Sequence, residues 1–215
     1  MGDKQAVIFD FGGVFIDSPF AAMVAAAEER GTSAEELSLA VFGAYDQDTD
    51  HPWHRLERGE ITMEQAREQI MASHKLPDGS PLDPFEILMV LAGGGVRDEM
   101  VGFCRELKQR GLRTSLLTNN AKEFEDFWKP LLPLDELFED VVDSSEVGMR
   151  KPAAAIYELA LGRLGLQASQ VVFVDDAPGN VDGARAVGIT SVLMGQDRGD
   201  MAAGIAEVEA LLGSG

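Results

Sequence analysis

The chain has 215 residues, which is enough for one large domain or for a core domain with an insertion. Hydrophobic residues make up 45% of the sequence, which supports a substantial core and argues against disorder. The formal net charge of −19 argues against general binding to nucleic acid or to an anionic membrane, because the field of the whole protein repels phosphates.

The first predicted β-strand, Ala6–Phe11, contains a carboxylate at the end of an apolar run. Burying an unpaired carboxylate is costly, so the position of Asp10 requires an explanation. Gly12 and Gly13 come shortly after it, and glycine lets the backbone turn tightly and approach a ligand closely. The pattern predicts a functional site at the carboxyl end of this strand.

Roughly a hundred residues separate this strand from the next, and they are predicted to be helical. The spacing of apolar residues predicts three helices: Phe20–Arg30, Ala34–Phe42 and Met63–His74. A capping box precedes each of the last two. A further apolar helix is followed by three glycines at 93–95, which suit either a hinge or an ordinary surface turn. We therefore expect a discontinuous core domain, 1–16 and 97–215, and a helical cap domain, 17–96, over the carboxyl ends of the strands.

The second half of the chain alternates strands and helices. Short apolar segments predict four more strands: Arg113–Leu117, Asp140–Asp143, Val171–Asp175 and Thr190–Met194. Helical patterns lie among these strands: Asp98–Arg110, Ala153–Leu164 and Asn180–Val187. Pro152 suits the first turn of the helix Ala153–Leu164. This alternation predicts an α/β fold with a doubly wound, Rossmann-like parallel sheet and right-handed crossovers.

Cysteine usage and hydropathy indicate a cytoplasmic protein. Cys104 is the only cysteine, so no disulfide can form within the chain, and its spacing from Met100, Val101 and Leu107 places it in the core. The N-terminal stretch has no cationic segment followed by a signal-like apolar segment. The longest apolar window, near Phe85–Val96, is too short for a membrane span.

Polar side chains stand where the predicted strands end. In open α/β sheets, ligands bind outside the carboxyl ends of the strands, at the point where the topology changes direction. The side chains expected to converge there come from four separate loops: Asp10, Thr118, Asn119, Lys151, Asp175 and Asp176. They predict a single polar site at one edge of the sheet.

The aspartates predict a metal ion within this site. Carboxylates held close together repel one another, and one would have to protonate unless a cation lies between them. A few oxygen ligands from the protein suit Mg²⁺, which keeps several waters and takes a substrate oxygen. We expect Mg²⁺ to bind Asp10, Asp175 and Asp176, together with the main-chain carbonyl of Gly12.

The remaining groups suit a small phosphorylated substrate. Lys151 offers a positive charge to a second anion, and Thr118 and Asn119 offer a hydroxyl and amides. Asp10 is the best candidate for a nucleophile, because a carboxylate can attack phosphorus and form an aspartyl-phosphate that water later opens. The metal and Lys151 would screen the repulsion between the two anions in this step.

These motifs resemble those of the haloacid dehalogenase-like (HAD) hydrolase superfamily. VIFDFGGV resembles the first motif, with Asp10 as nucleophile, and LLTNN resembles the second, with Thr118 binding phosphoryl oxygens. GMRKP resembles the third motif, with Lys151. VFVDDAPGNVDGA resembles the fourth, which implies that Asp176 is a direct Mg²⁺ ligand and that Asp175 acts through water or the lysine.

The resemblance covers essentially the whole chain and includes the helical cap type. The sequences of residues 53–61 and of residues 150–161 (RKPAAAIYELAL) further resemble those of the branch that contains the phosphatase domain of soluble epoxide hydrolases. It implies a Mg²⁺-dependent phosphatase that hydrolyses a small phosphorylated metabolite. Neither the substrate nor the oligomeric state follows from these motifs.

One position departs from the pattern of the superfamily. Its phosphatases normally carry a second aspartate two residues after the nucleophile, which protonates the leaving oxygen, and here that residue is Gly12. Loss of a general acid typically costs about 10²–10⁴-fold in rate. Either the substrate has a good leaving group, or another residue replaces the acid: Asp17, Asp46, Asp48, His51, His54 or Glu57.

Two other interpretations remain open at this point. A 2-haloacid dehalogenase also lacks the second aspartate, but such relatives work without metal and do not keep a pair like Asp175 and Asp176. A non-catalytic binding or regulatory protein is the other, although a decayed site usually loses its nucleophile, lysine or metal acids. Candidates for selecting the substrate lie in the predicted cap: Trp53, Arg55, Glu57 and Arg58.

Overall fold

The computed structural model describes residues 4–17, 20–91, 94–195 and 198–213. Within these residues lie five strands: β1 (Ala6–Phe9), β2 (Arg113–Thr118), β3 (Asp140–Asp143), β4 (Val171–Asp175) and β5 (Thr190–Leu193). They pair in parallel, in the order β3-β2-β1-β4-β5. The predicted doubly wound parallel sheet is confirmed, and each strand lies within two residues of its predicted bounds.

Twelve α-helices accompany the sheet in the described part of the chain. They are α1 (Phe20–Glu29), α2 (Ala34–Phe42), α3 (Pro52–Glu57), α4 (Met63–Ser73), α5 (Pro84–Leu91), α6 (Asp98–Gln109), α7 (Glu125–Trp128), α8 (Leu134–Leu137), α9 (Ser144–Val147), α10 (Ala154–Leu164), α11 (Pro178–Ala186) and α12 (Arg198–Leu212). The bounded helix predictions agree within two residues, whereas α3, α12 and the short helices α7–α9 were not predicted. Pro152 lies in the turn before α10, not in its first turn, because α10 begins after the extended N-cap residue Ala153.

The sheet is covered on both faces by apolar layers. Val7 and Phe9 point into a cluster shared with α6 and α12, whereas Ala6 and Ile8 point into a second cluster shared with α10 and α11. This alternation is the two-residue period of a strand that is buried on both sides. Cys104 lies in the first cluster, fully buried, as its sequence spacing predicted.

The strand order determines where the loops meet. β1 lies at the centre of the sheet, and Phe9 is level with Leu116 of β2 on one side and with Val174 of β4 on the other. The loops that leave β1, β2 and β4 therefore emerge side by side at one edge. This edge is the switch point at which doubly wound sheets bind ligands.

Helices α1–α5, here called the helical insertion, form most of a third apolar cluster, to which Ala121 of the loop after β2 also belongs. Two chain crossings join the insertion to the sheet, and Ile16 pairs with Val96 there in an antiparallel bridge. The Asp17 amide donates to the Gly95 carbonyl at 3.0 Å in the same crossing. Of the glycines expected at a hinge or turn, Gly93 lies outside the described residues. None of the described helices combines the length and apolar character needed to cross a membrane.

The three histidines of the sequence lie together in the insertion. The ring of His51 is 5.6 Å from that of His54 and 6.1 Å from that of His74, measured between centroids. His54 is fully buried, and its Nδ1 accepts a hydrogen bond from the Thr49 amide at 3.0 Å. Burial, together with the positive charge of Arg150, lowers the pKa of His54 to about 3, so the ring is neutral in the folded protein.

The neutral state of His54 makes the fold sensitive to acid. Above pH 6.5 the ring is neutral in both folded and unfolded chains, whereas between pH 6.5 and 3 only the unfolded chain takes up the proton. We expect this residue to remove stability as the pH falls, by at most about 1.4 kcal/mol per pH unit. Urea unfolding across this range should show a shallower decline for His54→Asn, whose amide oxygen can still accept from Thr49. Identical pH profiles for the two proteins would contradict the assignment.

Candidate active site

Three carboxylates meet at the switch point. Asp10 follows β1, Asp175 ends β4 and Asp176 is the next residue. One oxygen from each of these side chains lies within 4.8 Å of the others. Asp10 is held in register with β4, because its amide donates to the Val174 carbonyl at 2.8 Å. The structure therefore brings together the aspartates that the sequence placed at separate strand ends.

Lys151 joins two of these carboxylates. Its ammonium donates to Asp10 Oδ1 at 2.6 Å and to Asp175 Oδ2 at 2.7 Å, and the side chain is almost fully buried. Burial alone would lower the pKa of Lys151, but the two carboxylates outweigh it and the pKa is raised. The lysine therefore stays charged inside the protein.

The two aspartates of the fourth motif have different surroundings. Asp175 accepts from the Ala177 amide at 2.8 Å and from Asn180 Nδ2 at 3.1 Å, in addition to Lys151. Asp176 accepts no hydrogen bond from any side chain or amide in the described ranges. Asp175 is thus fully engaged by donors within the protein, and Asp176 has oxygens available for another partner.

The charges of the cluster do not balance. Burial raises the pKa of Asp10, and burial with the neighbouring charges of Asp175 and Asp10 raises that of Asp176. One ammonium faces three carboxylates, so the cluster carries excess negative charge in a buried place. The donor atoms are all oxygen, which is the ligand set that Mg²⁺ prefers, so the residues present fit a magnesium ion.

The glycines after Asp10 serve different needs. A Cβ placed on Gly13 would overlap the Asp176 carboxylate, and its φ of +66° is strained for any other residue. A Cβ on Gly12 would meet only Asp10 Oδ2, at 3.9 Å, within the contact distance. Gly13 is therefore required by the close approach of two loops, whereas Gly12 leaves open space beside the Asp10 carboxylate.

Thr118 ends β2 and Asn119 follows it, and the two side chains have different surroundings. Thr118, the last residue of β2, is almost completely buried. The side-chain amide of Asn119 donates to the Lys151 carbonyl at 3.0 Å and accepts from the Lys151 amide at 2.9 Å. Asn119 as a substrate contact stays a prediction, and in this structure its side-chain amide holds the backbone of the lysine.

Most of the proposed replacement acids are already engaged. Asp17 contacts Arg97 and the Gly95 amide at the chain crossing, and Glu57 pairs with Arg150. His54 and Asp48 bind within the insertion, to Thr49 and Arg58. His51 Nδ1 accepts from the Trp53 amide at 3.2 Å. Asp46 alone of this set is exposed without such a partner in the described part of the chain. Its backbone lies against Gly179, three residues after Asp176.

The candidates for substrate selection are also paired. Arg55 contacts Glu60 at 3.4 Å, and Arg58 binds Glu60 at 2.6 Å, so both arginines are bound to carboxylates of the insertion. Trp53 and Glu57 are buried rather than lining an open surface. Sequence reasoning missed Arg150 and Arg97 as parts of the site region. The available signals were the position of Arg150 next to the predicted lysine and that of Arg97 at the predicted domain boundary.

A family model for haloacid dehalogenase-like hydrolases matches residues 4–188. The chain belongs to this family. The predicted family and its hydrolase class are thereby confirmed, and this HAD-like hydrolase carries three of the expected motifs at strand ends and the third, with Lys151, between α9 and α10.

Curated relatives include proteins that are much longer than this chain. The HAD-like chain is 33% identical to Acyl-CoA dehydrogenase family member 10 of mouse, over 97% of this chain and 19% of that protein. It is 27% identical to Bifunctional epoxide hydrolase 2 of rat, over 98% of this chain and 39% of that protein. The chain therefore spans well under half of these two relatives. A sesquiterpene phosphatase of Aspergillus oryzae is 29% identical, over 87% of this chain and 88% of that protein.

Solved structures agree with the fold. A mutant HAD family enzyme from Bacteroides thetaiotaomicron, in complex with magnesium and inorganic phosphate, superimposes with a TM-score of 0.64. The identity is 18%, and the match covers 91% of this chain and 96% of that one. A crystal structure of a dehalogenase matches with a TM-score of 0.63 and 21% identity, over 92% of this chain and 88% of that one. At these identities the agreement establishes the fold alone.

The adjacent glycines offer a matched test of the loop geometry. We expect Gly13→Ala to lower the free energy of unfolding by more than about 2 kcal/mol, because it combines a strained φ with overlap on Asp176. Gly12→Ala should cost less than about 1 kcal/mol, because its Cβ meets open space. Urea denaturation of both variants in chelator measures the difference without any contribution from metal. Equal losses would show that the two loops do not approach as described.

Proposed function

We propose that the protein is a Mg²⁺-dependent phosphatase that hydrolyses a small phosphorylated metabolite through an aspartyl-phosphate on Asp10. The observation that carries this proposal is the buried cluster in which Lys151 binds Asp10 and Asp175 beside Asp176. Phosphatases among the relatives support the reaction class, namely the sesquiterpene phosphatase and a phosphoglycolate phosphatase of Rhodospirillum rubrum at 28% identity.

The metal would be held by protein oxygens at the strand ends. Asp10, Asp176 and the main-chain carbonyl of Gly12 would hold Mg²⁺, and Asp175 would support them through its contacts with Lys151 and Asn180. When bound, the ion supplies positive charge that offsets the excess carboxylates and polarises a phosphoryl oxygen. This assignment follows from the donor set, which is all oxygen.

The protein's own residues would carry the covalent step. An oxygen of Asp10 attacks phosphorus, the bond from phosphorus to the leaving oxygen breaks, and an acyl-phosphate forms. Lys151 holds Asp10 Oδ1 at 2.6 Å, which keeps the carboxylate oriented and lowers the repulsion between it and the phosphoryl group. Thr118, buried at the end of β2, would donate its hydroxyl to a phosphoryl oxygen. Water then attacks phosphorus, which releases phosphate and restores the carboxylate.

The leaving group would have to depart without the usual side-chain acid. Gly12 provides no proton, and Asp17 and Glu57 are bound to arginines. Substrates whose leaving oxygen is already a weak base need no general acid. We therefore infer that anomeric, acyl or aryl phosphates are hydrolysed best, with Asp46 as the remaining candidate acid among those considered.

The helical insertion would cover the side of the active site from which the substrate enters. We propose residues 17–96 as a cap domain and residues 1–16 and 97–215 as the core domain. The apolar cluster formed mainly by α1–α5 and the two chain crossings beside Ile16 and Val96 support this division. The cover excludes water from the acyl-phosphate until the hydrolytic step.

The nucleophile and the metal can be tested together. We expect Asp10→Asn to lower the rate of phosphate release from 4-nitrophenyl phosphate by about 10³-fold or more, and chelator to abolish the activity of the wild type. The control Asp182→Asn changes an exposed aspartate of α11 and should leave the rate unchanged. Independently of turnover, Mg²⁺ should raise the melting temperature of the wild type but not that of Asp176→Asn.

The alternatives predict different results in the same assay. Chloride release from a 2-haloacid that persists in chelator would identify a dehalogenase. Binding of phosphate without turnover of a phosphoester panel, unaffected by Asp10→Asn, would identify a non-catalytic protein. Either result would overturn the proposed phosphatase.

The missing acid can be restored at its expected position. Gly12 has space beside Asp10 and no left-handed φ, so an aspartate fits there. We expect Gly12→Asp to raise kcat/KM for a primary alkyl phosphate relative to an aryl phosphate by about 10-fold or more, because only the alkyl leaving group needs a proton. Gly12→Asn, of equal size but without an acidic proton, is the matched control. A ratio that is the same in both variants would mean that another group already protonates the leaving oxygen.

A further inference from the structure

Arg150 is a fully buried cation that lies beside the active site but contacts none of its carboxylates. It precedes Lys151 in the segment between α9 and α10, and it is the largest of the side chains that are completely buried in the described part of the chain. A guanidinium is buried only where it is paired and hydrogen-bonded. Its partners therefore indicate what the residue does.

The partners of Arg150 belong to the helical insertion. Its Nε donates to Glu57 Oε2 at 2.7 Å, and its Nη1 donates to the Gln47 carbonyl at 2.8 Å. Glu57 ends α3, is 5% exposed, and accepts from Trp53 Nε1 at 2.9 Å one turn earlier in the same helix. A contact within its own helix thus directs the Glu57 carboxylate toward the core. Burial raises the pKa of Glu57, although the positive charge of Arg150 opposes this shift.

On the other side, Arg150 is joined to the catalytic lysine through one peptide bond. The backbone of Lys151 is held at both its amide and its carbonyl by the Asn119 side chain. Its ammonium reaches Asp10 and Asp175 from this fixed backbone. A displacement of Arg150 would therefore be transmitted to the group that orients the nucleophile.

The site must admit its substrate past this contact. Asp10 is 7% exposed and Lys151 is 1% exposed, so both lie beneath the surface formed by the core loops and the insertion. Other close contacts between the two parts, such as Gly59 against the Ser145 carbonyl and Gly179 against Asp46, leave no room for added side chains. Under the proposed function, we expect this interface to separate and re-form as a phosphorylated metabolite reaches the nucleophile.

We propose that Arg150 is a positioning residue, which couples the seating of the helical insertion to the placement of Lys151 through its ion pair with Glu57. The proposal rests on the proposed phosphatase function for its catalytic consequence, but not for the contact itself. When the insertion is seated, Glu57 and the Gln47 carbonyl hold the guanidinium, and the lysine is placed against Asp10. When it lifts, these contacts are lost and the lysine is less constrained.

An ion pair suits a contact that must form and break. A buried pair gains little net stability, because the loss of hydration offsets most of the attraction between the charges. When the interface opens, the guanidinium and the carboxylate regain water, so separation is not strongly opposed. An apolar contact of the same area would instead expose hydrophobic surface on opening, at about 25 cal/mol per Å². The pair thus gives a defined closed geometry without a strong barrier to opening.

The test compares single and double variants of the pair. Arg150→Lys keeps the charge but loses the forked geometry, and Arg150→Met and Glu57→Gln each remove one charge. With Mg²⁺ and 4-nitrophenyl phosphate, we expect kcat to fall by about 10²-fold in Arg150→Met, and by less in Arg150→Lys. The double variant Arg150→Met/Glu57→Gln should regain melting temperature relative to either charge-removing single variant, because no unpaired charge stays buried, yet it should not regain kcat. Recovery of both properties together would show a purely structural role and overturn the proposal.

The matched control is an arginine with the same kind of partners far from the site. Arg113, at the start of β2, donates its Nε to Glu139 at 2.7 Å and its Nη1 to the Leu164 carbonyl at 2.6 Å. Arg113→Lys should therefore leave kcat within about twofold of the wild type. A fall in kcat equal to that of Arg150→Lys would mean that the loss is general, and it would overturn the proposal.

A fluorescence measurement separates this proposal from the phosphatase function. Trp53 is one of two tryptophans in the sequence, so a Trp128→Phe background leaves it as the only indole reporter. We expect Glu57→Gln and Arg150→Lys to increase quenching of Trp53 by acrylamide, because a weaker pair between residues 57 and 150 seats the insertion, and with it the Trp53 indole, less firmly. If no phosphoester is turned over but quenching rises, the phosphatase function fails and the contact stands. Unchanged quenching in both variants would overturn the coupling whatever the activity.

Discussion

The active-site region depends on one interaction, the ammonium of Lys151 between the carboxylates of Asp10 and Asp175. These groups come from three loops that are far apart in the chain, and the salt bridges at 2.6 and 2.7 Å hold them in one place. Without the lysine, the carboxylates of the cluster would meet with no counter-charge in a buried environment, and their repulsion would favour protonation or separation of the loops. Asn119 and Asn180 then act as supports, since one fixes the backbone of the lysine and the other binds Asp175.

The sheet explains why so much of this cluster could be predicted from the sequence. Parallel strands place their carboxyl ends at one edge, so residues that directly follow apolar runs, such as Asp10 and Asp175, have little choice of location. The identity of the strands follows from continuous apolar burial, a pattern that β1 and β4 satisfy along their whole length. Whether a residue lies at the end of a strand depends on the residues next to it, so it can be predicted from the local sequence pattern.

Pairings between distant charges could not be predicted in this way. Arg150 and Glu57 are 93 residues apart in the chain. From sequence alone, a glutamate on a short charged helix is expected to be solvated, because charged residues are seldom buried, and only the structure shows its contact with the core. The same reason explains why the contact between the Asn119 side-chain amide and the Lys151 backbone was not predicted, since nothing in the local sequence indicates it. Helix α12 was missed because its alanine- and glycine-rich sequence has little apolar periodicity, although Met201 and Val208 are buried.

The charge of the protein imposes a further requirement on the chemistry. With a net charge of −19, the surface repels a phosphorylated substrate, so attraction must arise locally. The cations near the site already have anionic partners in the structure: Lys151 binds Asp10 and Asp175, Arg150 binds Glu57, and Arg97 contacts Asp17. The side chains therefore neutralise one another more than they offer charge to a dianion. Under the proposed function, a divalent cation at the aspartates would thus be needed for substrate binding as much as for the chemical step, and the affinity for phosphate should depend on the metal even where no bond is broken.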